Sequence, residues 1–175
     1  MADLKEMRFT LSLLVKNHSG VLQRVVGLFS RRGYNIDSLS VGRTNDDGIS
    51  RITIVILGDT SIVKQIKNQV EKLVDVYRVS IITDDNGIQS ELILVKLSTK
   101  NGNRTDVIEL SELFKAKVVD VTHSTITLQL TGSNKKIQSF LDLATPYGIV
   151  ELTRTGITAI GRGEKALKDT PYEQL

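Results

Sequence analysis

A short apolar run that ends in lysine occurs twice in this chain of 175 residues. Leu13-Leu14-Val15-Lys16 is matched 80 residues later by Ile93-Leu94-Val95-Lys96. A second match pairs Leu28-Phe29 with Leu113-Phe114. Two copies are too few for a solenoid, in which stacked repeats bury a shared core. The sequence therefore predicts two small domains of the same kind in tandem.

Apolar periodicity gives each copy the same order of elements. In the first copy, alternation predicts strands at about 8–16, 36–43, 50–57 and 75–82. Apolar residues at helical spacing predict one helix after Gly20 and another after Asp59, which can cap it. A turn at 45–48 joins two of the strands. The second copy repeats this β-α-β-β-α-β order, so the predicted fold class is α+β.

The polar run at 83–87 has no periodicity and marks the boundary between the copies. We predict a first domain at 7–83, a linker at 84–90, a second domain at 91–163 and a charged tail at 164–175. In each domain two helices cover one face of a four-stranded antiparallel sheet, which leaves the other face and the edges open. A domain of about 80 residues also buries only a modest share of its surface. We therefore expect at least a dimer.

The residue types present exclude several classes of chemistry. The chain has no cysteine, which removes disulfides, thiolate metal sites and cysteine nucleophiles. Its two histidines, His18 and His123, belong to no cluster, and no glycine-rich phosphate-binding motif occurs. The sequence therefore predicts no catalytic residue, no metal ligand and no cofactor on this chain.

Charge pattern and apolar runs bear on partners and location. The net charge is +3, with basic and acidic residues interleaved and only four Phe and four Tyr. A nucleic-acid surface usually shows a basic stripe with stacking aromatics, so no nucleic-acid partner is predicted. No apolar run is long enough to span a membrane, and the first residues do not resemble a signal peptide. The cytoplasm is the expected location.

The loop at 17–20, between the first strand and the first helix, is the best candidate for a binding site. Asn17 or Ser19 can cap the helix, and Gly20 lets a ligand approach the backbone closely. The free N–H groups of Gly20, Val21 and Leu22 suit a carboxylate, which gains about 0.3–1 kcal/mol at a helix N-terminus.

Spacing alone leaves two interpretations of this region open. Asn35, at the start of the second strand, can both donate and accept, so it can serve the amine or the carboxylate of a zwitterion. The same residue types are also ordinary in turns and caps, which is the structural alternative. His18 is interpreted as an exposed loop residue rather than a catalytic base, and Arg31-Arg32 as a solvated helix end.

Two runs around this loop resemble a known family. Residues 14–22, LVKNHSGVL, and 28–39, LFSRRGYNIDSL, are similar to ACT domains. More narrowly, they resemble the regulatory (small) subunit of acetolactate synthase, also called acetohydroxyacid synthase. Residues 72–76, 91–96 and 119–122 also look like that family. The resemblance covers about 7–163 and implies two tandem ferredoxin-like βαββαβ domains, the first of them an ACT domain.

The resemblance implies a regulatory role. In that family a separate catalytic (large) subunit, with thiamine diphosphate, Mg²⁺ and FAD, condenses pyruvate with pyruvate or 2-oxobutyrate in branched-chain amino-acid synthesis. The small subunit raises that activity and confers feedback inhibition, usually by valine, which sits between two ACT domains of a homodimer. By motif, Asn17 and Gly20 come from one chain and Asn35 from its neighbour. The implied valine site comprises Asn17, Gly20, Val21, Leu22, Asn35 and Ile36.

The sequence is also compatible with two other functions. One is a tandem amino-acid-sensing regulator of gene expression, which would bind nucleic acid with a steep salt dependence. The other is a free-standing enzyme of ferredoxin-like fold, which would need turnover by this chain alone. Valine, leucine and isoleucine are not separated by the sequence, since one methylene is worth only about 1–3 kcal/mol in an apolar pocket.

Overall fold

A computed structural model describes residues 7–169 of the chain. Its contacts divide it into two compact units. The first unit combines the chain up to Ile88 with the segment that begins at Ile157, and the second runs from Gln89 to Gly156. The charged tail predicted at 164–175 is therefore described only as far as Asp169.

The first unit has the predicted β-α-β-β-α-β order. The antiparallel sheet has the strand order β2-β3-β1-β4. Its elements are β1 (Met7–Lys16), α1 (Val21–Arg31), β2 (Ile36–Arg43), β3 (Ile49–Gly58), α2 (Thr60–Val70) and β4 (Val76–Ile82). The prediction for this half of the chain is confirmed.

Local signals in the sequence set the ends of both helices. The N–H of Gly33, which has a φ of +70°, donates to Ser30 O over 3.1 Å, and the N–H of Tyr34 donates to Phe29 O over 3.0 Å. This pair of bonds is a Schellman motif, and it ends α1 at the predicted glycine. Asp59 caps α2 by accepting a hydrogen bond from the N–H of Ile62.

The helices pack on one face of the first sheet. Alternate residues of β1, Leu11 and Leu13, are fully buried there together with Phe29 from α1, Ile54 from β3 and Ile66 from α2. Because side chains alternate across a strand, the residues between them face the other side of the sheet. This core fixes α1 and the loop before it against the end of β1.

The other face of the first sheet is covered in part by the chain's own later segment. Thr10 and Ser12 lie on this face and are buried, as is Val55. Residues 157–169 form β9 (Thr158–Gly161) and a 3₁₀ turn (Leu167–Asp169), which contact β1 and β4. The prediction that this face stays open is wrong for the area under the segment. The sequence did not predict this segment, because β9 has only four residues and is too short to show a clear apolar alternation.

The second unit repeats the architecture. Its sheet has the order β6-β7-β5-β8, and α3 and α4 pack over a core that includes Ile93, Leu128 and Phe140. The edge strands β6 and β8 are exposed throughout. The elements are β5 (Gly87–Ser98), α3 (Arg104–Phe114), β6 (Lys117–Val121), β7 (Thr125–Gly132), α4 (Asn134–Ala144), a 3₁₀ turn (Thr145–Tyr147) and β8 (Ile149–Arg154).

The chain leaves and re-enters the first unit at points that differ from the predicted domain bounds. Residues 87–90, predicted as linker, belong to β5, which begins after the turn at 84–86. Strand β9 pairs with β5, and the N–H of Arg162 donates to Asn86 O over 2.8 Å. Sequence alone missed this start of β5 because its strand character depends on distant pairing. Across residues 7–169 every helix is too short or too polar to cross a bilayer.

Candidate functional site

The loop at 17–20 opens α1 without a side-chain cap. Gly20 occupies the N-cap position with a φ of +86°, a left-handed conformation that costs glycine little. The first intrahelical bond runs from the N–H of Arg24 to Gly20 O over 3.1 Å. Among residues 7–169 no acceptor meets the backbone N–H groups of Gly20, Val21 and Leu22. This helix end therefore offers donors and a positive end dipole to an anion.

Asn17 anchors the loop instead of capping the helix. Its backbone N–H donates to Gly48 O over 2.8 Å, and its side-chain Nδ2 donates to Asp47 O over 2.9 Å. The prediction that Asn17 or Ser19 caps α1 is wrong, since the Asn17 amide is engaged by the β2–β3 turn and Ser19 makes no capping bond. Asn17 still holds the loop in place, because it joins the loop to a hairpin on the neighbouring strand.

A buried carboxylate lies beside the same loop. Asp75, only 5% exposed, precedes β4 and has Lys16 Nζ at 3.6 Å and His18 Nε2 at 3.3 Å from its Oδ1. Arg24 Nη1 lies 2.6 Å from Oδ2, as an ion pair without hydrogen-bond alignment. Asp75 O also accepts from the N–H of Lys16 over 2.9 Å. Asp75 thus fastens both ends of the loop, a role that sequence reasoning missed.

The signal for Asp75 was present but weak. An aspartate between Val74 and Val76 interrupts an apolar run, which indicates either a turn or a buried polar partner. Its partners, Lys16, His18 and Arg24, are separated from it by more than 50 residues, so only the fold identifies them. His18, taken as a loop residue from the sequence, is partly exposed and contacts this carboxylate.

Asn35 lies at the far end of the sheet from the loop. Ile36, the first residue of β2, pairs with Ile56, and Ile56 pairs with Phe9. The loop follows Lys16, seven residues further along β1, so the two places are about 23 Å apart at 3.3 Å per residue. Within one chain the structure brings Asn17, Gly20, Val21 and Leu22 together and does not bring Asn35 or Ile36 to them.

The first turn of α1 presents an apolar side chain beside its backbone donors. Val21 is buried in the core and Leu22 is 39% exposed, so the first turn of α1 presents one apolar side chain beside its free N–H groups. Among residues 7–169 no three His, Asp or Glu side chains converge in a way that would hold a metal ion. Backbone donors beside an exposed leucine are the kinds of group that line sites for small apolar molecules with a carboxylate.

Comparison with known proteins identifies the family. The model of the family described as the AHAS small subunit-like ACT domain matches residues 11–78, and that of the small subunit of acetolactate synthase matches residues 90–163. The acetolactate synthase isozyme 3 small subunit of Escherichia coli is 42% identical over 163 residues, which is 93% of this chain and all of that protein. The acetolactate synthase small subunit of Bacillus subtilis is 43% identical over 158 residues, or 90% of this chain and 92% of that protein.

A solved structure agrees with this assignment. The acetolactate synthase small subunit from Thermotoga maritima superposes with a TM-score of 0.83 at 34% identity, covering 91% of this chain and 99% of that one. The two tandem ferredoxin-like domains predicted from the sequence are thereby confirmed. Because each of these relatives is at least 34% identical and matches at least 90% of the chain, the chain belongs to the acetolactate synthase small-subunit family.

Proposed function

We propose that this chain is the regulatory subunit of acetolactate synthase, and that it activates a separate catalytic subunit and makes it sensitive to valine. The observation that carries the proposal is the uncapped start of α1, where the N–H groups of Gly20, Val21 and Leu22 have no acceptor among residues 7–169. A free amino acid supplies the carboxylate that these donors lack. Catalysis, with thiamine diphosphate, Mg²⁺ and FAD, belongs to the partner in this proposal.

The position of Asn35 supports a site made by two copies of the chain. Strand β2 is an edge of the first sheet, so two copies can pair along it. A two-fold axis across an antiparallel β2–β2 pair places the start of one β2 beside the end of the other. The loop at 17–20 lies at the same end of the sheet as the last residues of β2. Asn35 and Ile36 of one copy then lie at the same end of the joined sheet as Asn17 and Gly20 of the other.

Inhibition requires more than binding. The effector must bind two states of the assembly with different affinities, since a ligand with equal affinity for both shifts nothing. A coupling of about 1–3 kcal/mol is typical of such systems. Selectivity for valine over leucine and isoleucine is expected to be a preference, because one methylene in an apolar pocket is worth only about 1–3 kcal/mol.

The test is calorimetric titration of valine into the full chain, alone and with the catalytic subunit, using two variants of Gly20. Gly20→Asp places a fixed carboxylate at the start of α1, where its Cβ lies 3.7 Å from Arg24 Nη2. Any side chain is strained at a φ of +86°, so Gly20→Asn is the matched control. Asparagine has nearly the same shape and adopts left-handed backbone more readily than most residues, but it carries no charge.

We expect valine to bind the wild-type chain, and valine inhibition of the holoenzyme to fall much further in Gly20→Asp than in Gly20→Asn. Activation of the catalytic subunit should persist in both variants. Absence of heat with valine, leucine and isoleucine, with and without the partner, would remove the effector claim. Equal valine inhibition of the two variants would show that the valine carboxylate does not bind at Gly20.

A further inference from the structure

A cavity of about 430 Å³ lies on the outer face of the first unit's sheet, away from the helices. Its wall combines Ser40 and Gly42 from β2, Arg51 and Thr53 from β3, and Thr158 and Lys168 from the segment that covers this face. All of these residues belong to the first unit. None of the residues assigned to the valine site lines it. The volume suits a small metabolite, since ligand pockets span about 300–1,000 Å³.

Arg51 is the charged centre of this cavity. Its Nη1 donates to Ser12 Oγ over 3.0 Å and to Ala159 O over 3.2 Å, so the guanidinium is held in a fixed position. The side chain is partly buried, and this burial lowers the pKa of Arg51 from its ordinary value. The group nevertheless stays protonated near neutral pH, because an arginine does not lose its proton in proteins.

No anion neutralises this guanidinium within the part of the chain that the structure describes. None of the carboxylates among residues 7–169 forms an ion pair with Arg51, and its Nε and Nη2 have no acceptor there. A guanidinium has five N–H donors in a planar fork, and Nη1 accounts for the two bonds observed. A partly desolvated charge without a counter-ion is unfavourable, so an oxyanion at this place is stabilised.

The rest of the wall reinforces the preference for an anion. Lys168 adds positive charge from the covering segment, and Asp46 is the one carboxylate among the described lining residues. Asp46 Oδ1 is already engaged by the N–H of Gly48 at 3.0 Å. Thr53, buried to 1% exposure, contributes a hydroxyl. The cavity therefore combines an excess of cations with a neutral donor.

We propose that this cavity is a second ligand site, which binds a small oxyanion, either a carboxylate or a phosphate, with Arg51 as its charged anchor. A carboxylate and a phosphate both present two oxygens to a guanidinium in the same bidentate geometry. The site is independent of the valine site, so it stands or falls separately from the proposed function. It gives the regulatory domain a second small-molecule input on the opposite side of the sheet.

The test is calorimetric titration of the full chain with inorganic phosphate and, separately, with succinate, at constant ionic strength held by chloride. Arg51→Gln should weaken binding at least about tenfold, the loss expected for a charge-assisted pair. Arg31→Gln is the matched control, since Arg31 is exposed at the end of α1 and does not line the cavity. Gly20→Asn should leave the oxyanion binding that depends on Arg51 unchanged, because the loop at 17–20 does not line the cavity.

A variant that leaves Arg51 intact guards against loss of folding in Arg51→Gln. Gly42 pairs with Arg51 across β2 and β3, so a side chain at Gly42 faces the same side of the sheet. A Cβ at Gly42 meets nothing within 4 Å. Gly42→Leu should fill the cavity and abolish binding with unchanged circular dichroism, whereas Gly42→Ala should keep it.

Each outcome is decisive. Heat with phosphate alone identifies a phosphate ligand, and heat with succinate alone identifies a carboxylate ligand. No heat with either probe, undiminished binding in Gly42→Leu, or binding that is lost in Gly20→Asn would overturn the proposal. Equal affinities of a folded Arg51→Gln variant and the wild type would also overturn it.

Discussion

Two glycines near the end of α1 predict stability changes of opposite sign. Gly33 follows the helix with a φ of +70°, and a Cβ added there meets nothing within 4 Å. Gly27 lies inside the helix, where an added Cβ meets only the end of the Arg31 side chain at 3.7 Å. Alanine at either place therefore causes no clash, so the backbone conformation alone decides the sign.

The magnitudes follow from those conformations. Gly33→Ala lowers the free energy of unfolding by about 1–2 kcal/mol, because alanine is disfavoured in the left-handed backbone conformation. The same substitution raises that free energy by about 0.4–1 kcal/mol, because the unfolded chain has less conformational freedom, so the net loss of stability is about 0.5–1 kcal/mol. Gly27→Ala gains about 0.5–1 kcal/mol, the advantage of alanine over glycine in a helix. The two variants should therefore differ by about 1–2 kcal/mol.

Native-state hydrogen exchange measures this difference in the right part of the molecule. Amides of Leu11 and Ile54 report opening of the first unit, because both residues lie in its buried strands. Their exchange should accelerate by up to about five-fold in Gly33→Ala and slow by a similar factor in Gly27→Ala. Amides of Leu128 in the second unit are the internal control. Shifts of the same sign in both variants, or equal shifts at Leu128, would refute the reasoning.

Three further predictions concern charged groups. Asp75→Asn should lower the free energy of unfolding by about 1 kcal/mol, as measured with urea, since Lys16 and Arg24 lose their anion and are themselves partly exposed. The affinity for valine should fall as well. Glu91→Gln should cost about 2–3 kcal/mol in thermal unfolding, because the buried Glu91 accepts two bonds from Arg154 at 2.7 and 2.8 Å. Hydrogen bonds from the Ser61 side chain and the Ile62 N–H lower the pKa of Asp59 below its ordinary value of 3.8. The stability that the ionised cap gives the protein is therefore fully present above pH 3.8 and is lost as the pH falls through the lowered pKa. Asp59→Asn should remove this pH dependence, as measured by acid titration followed by circular dichroism.

Much of the fold could be predicted because its elements are marked by short-range patterns. Alternation placed β2 at the residues observed, helical spacing placed α1, and Gly33 and Asp59 marked helix ends through their own backbone and side-chain preferences. Features that depend on distant residues could not be predicted. The strand character of residues 87–90 depends on pairing with β9, which follows it by about seventy residues.

In the candidate site, too, the residues marked by local sequence could be predicted and those that depend on distant neighbours could not. Gly20 and the first turn of α1 were recognisable because a glycine before an amphipathic helix is a local signal. The partner of the Asn17 amide could not be predicted, since the β2–β3 turn that accepts its bond reaches the loop only in the folded sheet. Asp75 and Arg51 were missed for the same reason: a buried charge is identified by its neighbours, and these come from other elements.

The covering segment has a consequence for synthesis of the chain. Residues 157–169 complete a sheet face whose strands all lie before residue 83, so the first unit lacks part of its cover until these residues have been made. On the ribosome the second unit, residues 89–156, emerges before residues 157–169, although domains generally fold in order from the N-terminus. Thr10, Ser12 and Val55 thus remain uncovered in the nascent chain for longer than the helix-side core does. We therefore expect the first unit to complete its folding only after the second unit has emerged.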